Sequence, residues 1–176
     1  MPDQDSAVVI VDFQKEWTLK DSPYYLGRTS LVQNKCRTLV HEAVKNKFPI
    51  IYTKRYMEGE SNIFSEFKER SDLIEKLPKK DKVEKIEHFA WDPFYQTDLG
   101  NILYDLGVDQ IIVGGVAVNA GVRDMVEGAY DRGWDVTLVK DCTYAEESED
   151  LEQTSKDIQK YRDVFVEVLK DHERFM

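Results

Sequence analysis

Four short apolar runs divide the chain. They cover residues 7–12, 49–53, 110–116 and 134–139 and are rich in Val and Ile. Such runs are typical of strands that are covered on both faces, as in a parallel sheet. Between and after them, apolar residues recur at helical spacing over 30–47, 98–106, 122–132 and 151–173. The first three of these segments end at stop signals, which are Asn46-Lys47, Gly107 and Gly133. They are therefore predicted to be helices.

This alternation of strands and helices predicts βαβ units. We expect an α/β fold, a three-layer sandwich whose mostly parallel central sheet is covered by helices on both faces. The 176 residues suit a single domain, 1–176, with one sizeable core. The charged segment 57–82 shows only a weak helical pattern, and we expect it to form a surface excursion near the functional site.

Charge and composition narrow the choice of partners. The formal net charge of -10 disfavours binding to nucleic acid or to anionic membrane surfaces. No apolar run approaches the roughly 20 residues that span a bilayer. The two cysteines match no metal-ligand spacing, and the first residues lack a signal-peptide pattern. We therefore expect a cytoplasmic protein with a small-molecule substrate or ligand.

Candidate chemistry lies where the first and third apolar runs end. Asp12 closes the first run, and the third leads into a turn between Gly114 and Gly121. Ligands of open parallel sheets bind beyond the carboxyl ends of the strands. The sequence therefore predicts that Asp12 and this turn share one site.

Three segments in order carry a family resemblance. They are VIVDFQ at 9–14, then EK at 84–85 with FYQTDL at 94–99, then GVAVNAGV at 115–122. Together they resemble the isochorismatase-like hydrolase superfamily, which includes nicotinamidases, N-carbamoylsarcosine amidohydrolases and isochorismatases. The match runs from about residue 8 to residue 142. It implies the same α/β sandwich that the apolar pattern predicts.

The resemblance assigns three catalytic positions. In the amidase branch an Asp carries protons, a Lys supports it electrostatically and a Cys attacks the carbonyl carbon. The first two roles fall on Asp12 and Lys85, and the Cys position falls on Gly121. Glycine has no side chain to act as the ionisable nucleophile that acyl transfer needs. Neither Cys36 nor Cys142 is placed by the family pattern to replace it.

The isochorismatase branch works without this cysteine and has a glycine at the equivalent position. As the family implies it, the Asp protonates an enol-ether double bond and water adds to the resulting oxocarbenium carbon. Asp12 would then have to hold a proton near neutral pH, which burial favours and a nearby Lys85 opposes.

The resemblance also implies a polar cradle around this turn. A cis peptide bond precedes the residue that matches Ala117, and backbone N–H groups at the turn and at the nucleophile position bind an oxyanion. The predicted substrate-binding residues are Gln14, Arg55, Val116, Ala117, Asn119 and Ala120. Arg55 either pairs with a substrate carboxylate or is a solvated surface residue.

We predict neither a metal nor another cofactor. Nicotinamidases need Asp and His ligands soon after the second strand, where this chain has KRYME at 54–58. No histidine occurs between His41 and His88. His88 itself follows Lys85 by three residues and either faces the same cleft or has a structural or surface role.

Three interpretations of Gly121 stay open. The first is a cysteine-independent hydrolase that acts on an isochorismate-like molecule. The second is an inactive homologue that binds a small ligand or serves in an assembly. The third is that glycine replaces a cysteine of the natural protein. We also expect a homo-oligomer, and the aromatic cluster Phe89, Trp91, Phe94 and Tyr95 belongs either to the core or to a subunit contact.

Overall fold

The computed structural model describes residues 6–22, 25–27, 30–56, 83–145 and 147–169. Within these residues six strands form one parallel sheet: β1 (Ser6–Val11), β2 (Ile50–Arg55), β3 (Val83–His88), β4 (Gln110–Val116), β5 (Asp135–Tyr144) and β6 (Phe165–Glu167). Four helices accompany them: α1 (Ser30–Lys45), α2 (Leu99–Asp105), α3 (Gly121–Asp131) and α4 (Ser148–Arg162). A short 3-10 turn covers Lys15–Trp17. No helix of the described segments has the length and apolar character that a membrane crossing requires.

The strand order in the sheet is β3-β2-β1-β4-β5-β6. β2 and β3 therefore extend the sheet from β1 to one edge. β4 then pairs with the other side of β1, and β5 and β6 extend the sheet to the opposite edge. The change of direction falls between β1 and β4, which pair along their length from Ser6↔Gln110 to Val11↔Gly115. In open parallel sheets, the crevice that binds ligands lies at the carboxyl ends of the two strands where the strand order changes direction.

Helices cover both faces of the sheet. Alternate residues of β1 point to opposite faces, and both sets are buried. Val9 and Val11 pack in a core with residues of α2, α3 and α4. Val8 and Ile10 pack on the other face with Cys36 and its neighbours in α1. The prediction of an α/β sandwich with a parallel central sheet is confirmed.

Close contact between β1 and β4 depends on Gly115. Its φ of +127° lies in a region that L side chains rarely adopt, and a Cβ there would lie 2.1 Å from the carbonyl oxygen of Val11. Any larger residue would force the two central strands apart. The glycine therefore helps to hold Asp12 beside the turn that follows β4.

The structure adds two strands that the apolar pattern did not predict. β3 and β6 are the edges of the sheet. The sequence of β3, VEKIEH, has only two apolar residues, Val83 and Ile86, and no continuous apolar run. The predicted helix 151–173 is wrong in its bounds, because α4 begins at Ser148 and ends at Arg162. Asp163 adopts a left-handed conformation, φ 52° and ψ 32°, and the chain then enters β6.

Candidate active site at the carboxyl ends of β1 and β4

Asp12 follows the last residue of β1 and is 2% exposed. Its φ of +48° is uncommon for a residue other than glycine. Neighbouring groups hold the backbone in this conformation. The Asp12 N–H donates to the Thr53 carbonyl at 3.2 Å and to Thr53 Oγ1 at 3.1 Å. The Asp12 carbonyl accepts a 2.7 Å hydrogen bond from Trp17 Nε1. These bonds fix the direction of the Asp12 side chain.

The two carboxyl oxygens of Asp12 have different surroundings. Oδ1 accepts a 2.6 Å hydrogen bond from the Thr53 hydroxyl and lies 2.7 Å from Nε2 of His88. Oδ2 has no hydrogen-bond partner among the described residues and points toward Gly121. A Cβ built on Gly121 would lie 3.0 Å from Oδ2. One oxygen is thus held by the protein, and the other faces the position where the resemblance places a nucleophile.

The turn after β4 brings Gly121 to Asp12. The peptide bond between Val116 and Ala117 is cis. The N–H groups of Ala120 and Val122 both donate to the carbonyl of Ala117, at 3.0 and 3.2 Å. α3 then begins at Gly121. The N–H of a first helical residue has no acceptor within its own helix, so that of Gly121 is available to a ligand oxygen.

His88 is the contact of Asp12 that sequence reasoning did not assign. It ends β3, is 1% exposed, and lies opposite Arg55 in the β2–β3 register. Its Nδ1 is 2.9 Å from the carbonyl of Ala90. Recognition of β3 from the alternation in KIEH, residues 85–88, would have placed Ile86 and His88 on the same, inward face. That weak pattern was the available signal.

Lys85 does not meet Asp12. Its side chain is exposed. Successive residues of a strand point to opposite faces, so Lys85 and His88 leave β3 on different sides. No ion pair joins Lys85 to Asp12 in the structure. The electrostatic role that the resemblance gives to Lys85 stays a prediction, and this placement does not support it.

Gln14 and Arg55 form a second pair beside the crevice. The Gln14 carboxamide donates to the Arg55 carbonyl at 3.1 Å and accepts from the Arg55 N–H at 2.9 Å. It thereby joins the loop after β1 to the end of β2. The Arg55 guanidinium lies over the ring of Trp91, 3.2 Å from its centroid. The carbonyl oxygen of Trp91 is 3.8 Å from the Cβ position of Gly121. Arg55 is thus near the Asp12 site, although its side chain is largely buried.

A second carboxyl group lies in the first turn of α3. Burial raises the pKa of Asp124, and the nearby carboxylates of Glu127 and Asp92 raise it further. The positive charges of Arg123 and Arg55 act in the opposite direction. The interaction with Arg55 shows that the start of α3 and the end of β2 share one electrostatic environment.

The other predicted binding residues lie around this turn but differ in what they can offer. The Val116 side chain is buried in the core on the α1 face, and Ala117 packs against it. Asn119 is exposed and donates to Asp150 of α4 at 3.3 Å. Ala120 is half-buried next to Gly121. Contributions of Val116, Ala117 and Ala120 to a ligand would therefore come mainly from their backbone atoms, and their binding roles stay predictions.

Neither cysteine is part of this site. Cys36 and Cys142 are both buried on the α1 face of the sheet, where the Cys36 thiol donates to the Cys142 carbonyl at 3.2 Å. Among the described residues, no group of three or more His, Cys, Asp or Glu side chains could hold a metal ion. The predicted absence of a metal stays a prediction, because the segment after β2, 57–82, lies outside the described residues.

The aromatic cluster after β3 divides between core and surface. Phe94 is buried and stacks on Trp134. Phe89, Trp91 and Tyr95 are exposed to 41%, 46% and 51%, and Phe89 packs edge-on against Tyr95. The expected homo-oligomer is untested and stays a prediction.

The fold is an α/β sandwich with a buried carboxyl group, that of Asp12, where the strand order of the parallel sheet changes direction. Residues 6–173 match the isochorismatase domain family, and the chain belongs to that family. The uncharacterized isochorismatase family protein YaaI of Bacillus subtilis is 31% identical over 161 residues, which is 86% of this chain and 87% of YaaI.

Solved structures share the fold at lower identity. An isochorismatase family protein from Desulfovibrio vulgaris superimposes with a TM-score of 0.86 at 18% identity, covering 97% of both chains. The nicotinamidase PncA of B. subtilis gives a TM-score of 0.81 at 13% identity, covering 93% of this chain and 99% of its own. An isochorismatase from Pseudomonas putida gives a TM-score of 0.76 at 23% identity, covering 94% of this chain and 87% of its own. These likenesses show the fold alone.

Proposed function

We propose that this isochorismatase-family protein is a hydrolase that acts without a cysteine nucleophile and uses Asp12 to protonate an enol ether of the isochorismate type. The observation that carries the proposal is the difference in surroundings between the two oxygens of the Asp12 carboxyl group. Oδ1 is held by Thr53 and His88, whereas Oδ2 faces Gly121. A buried carboxyl group with one oxygen directed at a ligand position is suited to proton transfer.

The glycine at position 121 favours enol-ether hydrolysis over acyl transfer. Acyl transfer through a covalent intermediate needs a nucleophilic side chain beside the carbonyl carbon. At this position the chain offers only a backbone N–H. Hydrolysis of an enol ether needs an acid and a water molecule, and it needs no covalent bond to the protein. The residues that are present therefore favour the second reaction.

The proposed reaction proceeds in two steps. Asp12 Oδ2 transfers its proton to the terminal carbon of the enol-ether double bond, which leaves an oxocarbenium ion. Water adds to the cationic carbon and returns one proton to Oδ2, and the resulting hemiketal collapses to a ketone and an alcohol. The sum is addition of one water and cleavage of one C–O bond, and Asp12 ends in its starting state.

Arg55 supports an anionic substrate. Its guanidinium carbon lies 3.2 Å from the centroid of the Trp91 ring, and the carbonyl oxygen of Trp91 borders the Gly121 position. A planar guanidinium beside the site can bind a carboxylate through two parallel hydrogen bonds. This arrangement supports a small carboxylated enol ether as the substrate.

The first test is turnover of isochorismate, beside nicotinamide and other amides, by wild type and Asp12→Asn. We expect wild type to hydrolyse isochorismate and Asp12→Asn to lose about 100-fold or more in kcat, because the amide cannot donate the proton. Asp105→Asn, an exposed aspartate on α2, makes the same chemical change elsewhere and should leave turnover unchanged.

Three outcomes would contradict the proposal. Undiminished turnover in Asp12→Asn would remove Asp12 from the reaction. Hydrolysis of amides but not of isochorismate would require a nucleophile that we have not identified. Saturable binding of isochorismate without turnover would indicate an inactive homologue that binds a small ligand.

A further inference from the structure

His88 has oxygen atoms at both ring nitrogens. Nδ1 is 2.9 Å from the carbonyl of Ala90, and Nε2 is 2.7 Å from Asp12 Oδ1. The side chain is fully enclosed at the end of β3. Both contacts have hydrogen-bond length, so each must contain a proton.

The contact with Ala90 determines which nitrogen is protonated. A carbonyl oxygen can only accept, so Nδ1 must carry the proton of that bond. A neutral imidazole would then present an unprotonated Nε2 to Asp12. Oδ1 already accepts the Thr53 hydroxyl proton. Whether Asp12 is ionised or carries its proton on Oδ2, two lone pairs would then face each other at 2.7 Å, and the contact requires a further proton between them.

We propose that His88 is the positioning residue of this site, held as an imidazolium that donates from Nε2 to Asp12 Oδ1 and leaves Oδ2 as the oxygen that gives and regains the catalytic proton. This inference rests on the proposed function, because it explains why proton exchange takes place at Oδ2. The imidazolium occupies Oδ1 and stabilises the carboxylate that remains after Oδ2 has donated its proton. His88 itself does not touch the substrate.

This assignment gives His88 the electrostatic role that the resemblance implied for Lys85. Lys85 lies on the other face of β3 and is exposed. His88, three residues later, reaches the buried carboxylate.

The pair lies among other charges that any test must leave in place. Arg55 is the β2 neighbour of His88 in register, and the charges of Arg55 and Asp92 both act on Asp124 at the start of α3. All of these residues are unchanged in the variants below. Differences between the variants therefore report on position 88.

The direct test is ¹⁵N NMR of the histidine side chains in the full-length, substrate-free protein at pH 7. His88→Gln identifies the signals of His88 by their loss. We expect both ring nitrogens of His88 to show the chemical shifts and attached protons of an imidazolium. An unprotonated Nε2, or an unprotonated Nδ1, would overturn the proposal. This measurement needs no substrate, so it decides the protonation of His88 even if isochorismate is not hydrolysed.

The functional test compares His88→Lys with His88→Gln on isochorismate. Lysine keeps a positive donor, whereas glutamine keeps only a neutral one. We expect His88→Gln to lower kcat at least about tenfold with little change in KM, and His88→Lys to restore much of the loss.

His41→Gln on the exposed face of α1 is the matched control and should behave as wild type. Urea denaturation of each variant separates loss of turnover from loss of folding. Equal kcat for wild type and His88→Gln, or no recovery of kcat in His88→Lys, with all three proteins folded, would overturn the positioning role. Failure of wild type to hydrolyse isochorismate would instead count against the proposed function, with the NMR result unaffected.

Discussion

Asp12 illustrates how a single residue is specified by its neighbours. Groups that are distant in the sequence hold much of its geometry. They act on its left-handed backbone, on its buried carboxyl group and on the different surroundings of the two carboxyl oxygens. Thr53 contributes most of these contacts, because its hydroxyl accepts from the Asp12 N–H and donates to Oδ1. A buried hydroxyl that makes both bonds stabilises the geometry of the site as well as the fold.

Removal of the Thr53 hydroxyl should therefore destabilise the protein. We expect Thr53→Val, which keeps the shape, to lower the free energy of unfolding by about 1–3 kcal/mol, since the buried N–H and Oδ1 of Asp12 each lose one hydrogen bond. Thr53→Ser keeps the hydroxyl and should cost clearly less than valine. Urea denaturation measures both values. Equal losses for valine and serine would show that the methyl group, and not the hydroxyl, matters here.

α3 links the site to the core at the level of secondary structure. It begins at Gly121 beside Asp12, and its buried residues pack under β4 and β5. Gly128 lies two turns later in α3. Because it has no side chain, the loop before α2 can approach α3 closely. A Cβ at Gly128 would lie 3.0 Å from both Asp92 Oδ1 and Phe94 Cδ2. The same loop carries Trp91, so this contact also helps to position the wall of the site.

Two glycine-to-alanine changes test this contact. Alanine is the better helix former, and Gly100→Ala in α2 meets only Phe94 at an ordinary 3.8 Å, so it should stabilise the protein by about 0.5–1 kcal/mol. Gly128→Ala should instead destabilise it by about 1–3 kcal/mol through overpacking. Guanidinium denaturation measures the two changes. If both variants gained stability equally, the loop would not press on α3 as described.

At the scale of the whole molecule, α1 covers one face of the sheet, and the two cysteines lie in that layer. The hydrogen bond with Cys36, burial, and nearby charges raise the pKa of Cys142. Burial likewise raises the pKa of Tyr52, which packs in the same core. Neither group ionises readily while α1 covers the sheet.

This shift predicts a loss of stability at alkaline pH. A thiol whose folded-state pKa is raised contributes stability that is fully present below the unfolded value, about 8.5, and is lost as pH rises above it. We expect the free energy of unfolding of wild type to fall between pH 7 and pH 9.5. In Cys142→Ala the fall should be smaller, whatever the cost of the substitution at pH 7. Denaturation at the two pH values measures both slopes, and parallel slopes would contradict the assignment.

The sequence by itself determined the central strands, most of the helices and the meeting of Asp12 with the Gly121 turn. Those elements have a strong local signal, because strands buried on both faces are continuously apolar and parallel strands end at a common edge. The end of α4 and the edge strand β6 were not found. Asp163 stops the helix through a backbone conformation that has little signature in the sequence.

Only the tertiary structure decided which basic residue meets Asp12. Lys85 and His88 lie three residues apart, and an odd spacing on a strand places side chains on opposite faces. Assignment of the facing residue therefore required the register of β3 on β2, from Ile50↔Val83 to Arg55↔His88. Edge-strand register arises from pairing with a neighbour that is distant in sequence, and the local alternation that ends at His88 was too short to identify the strand without it.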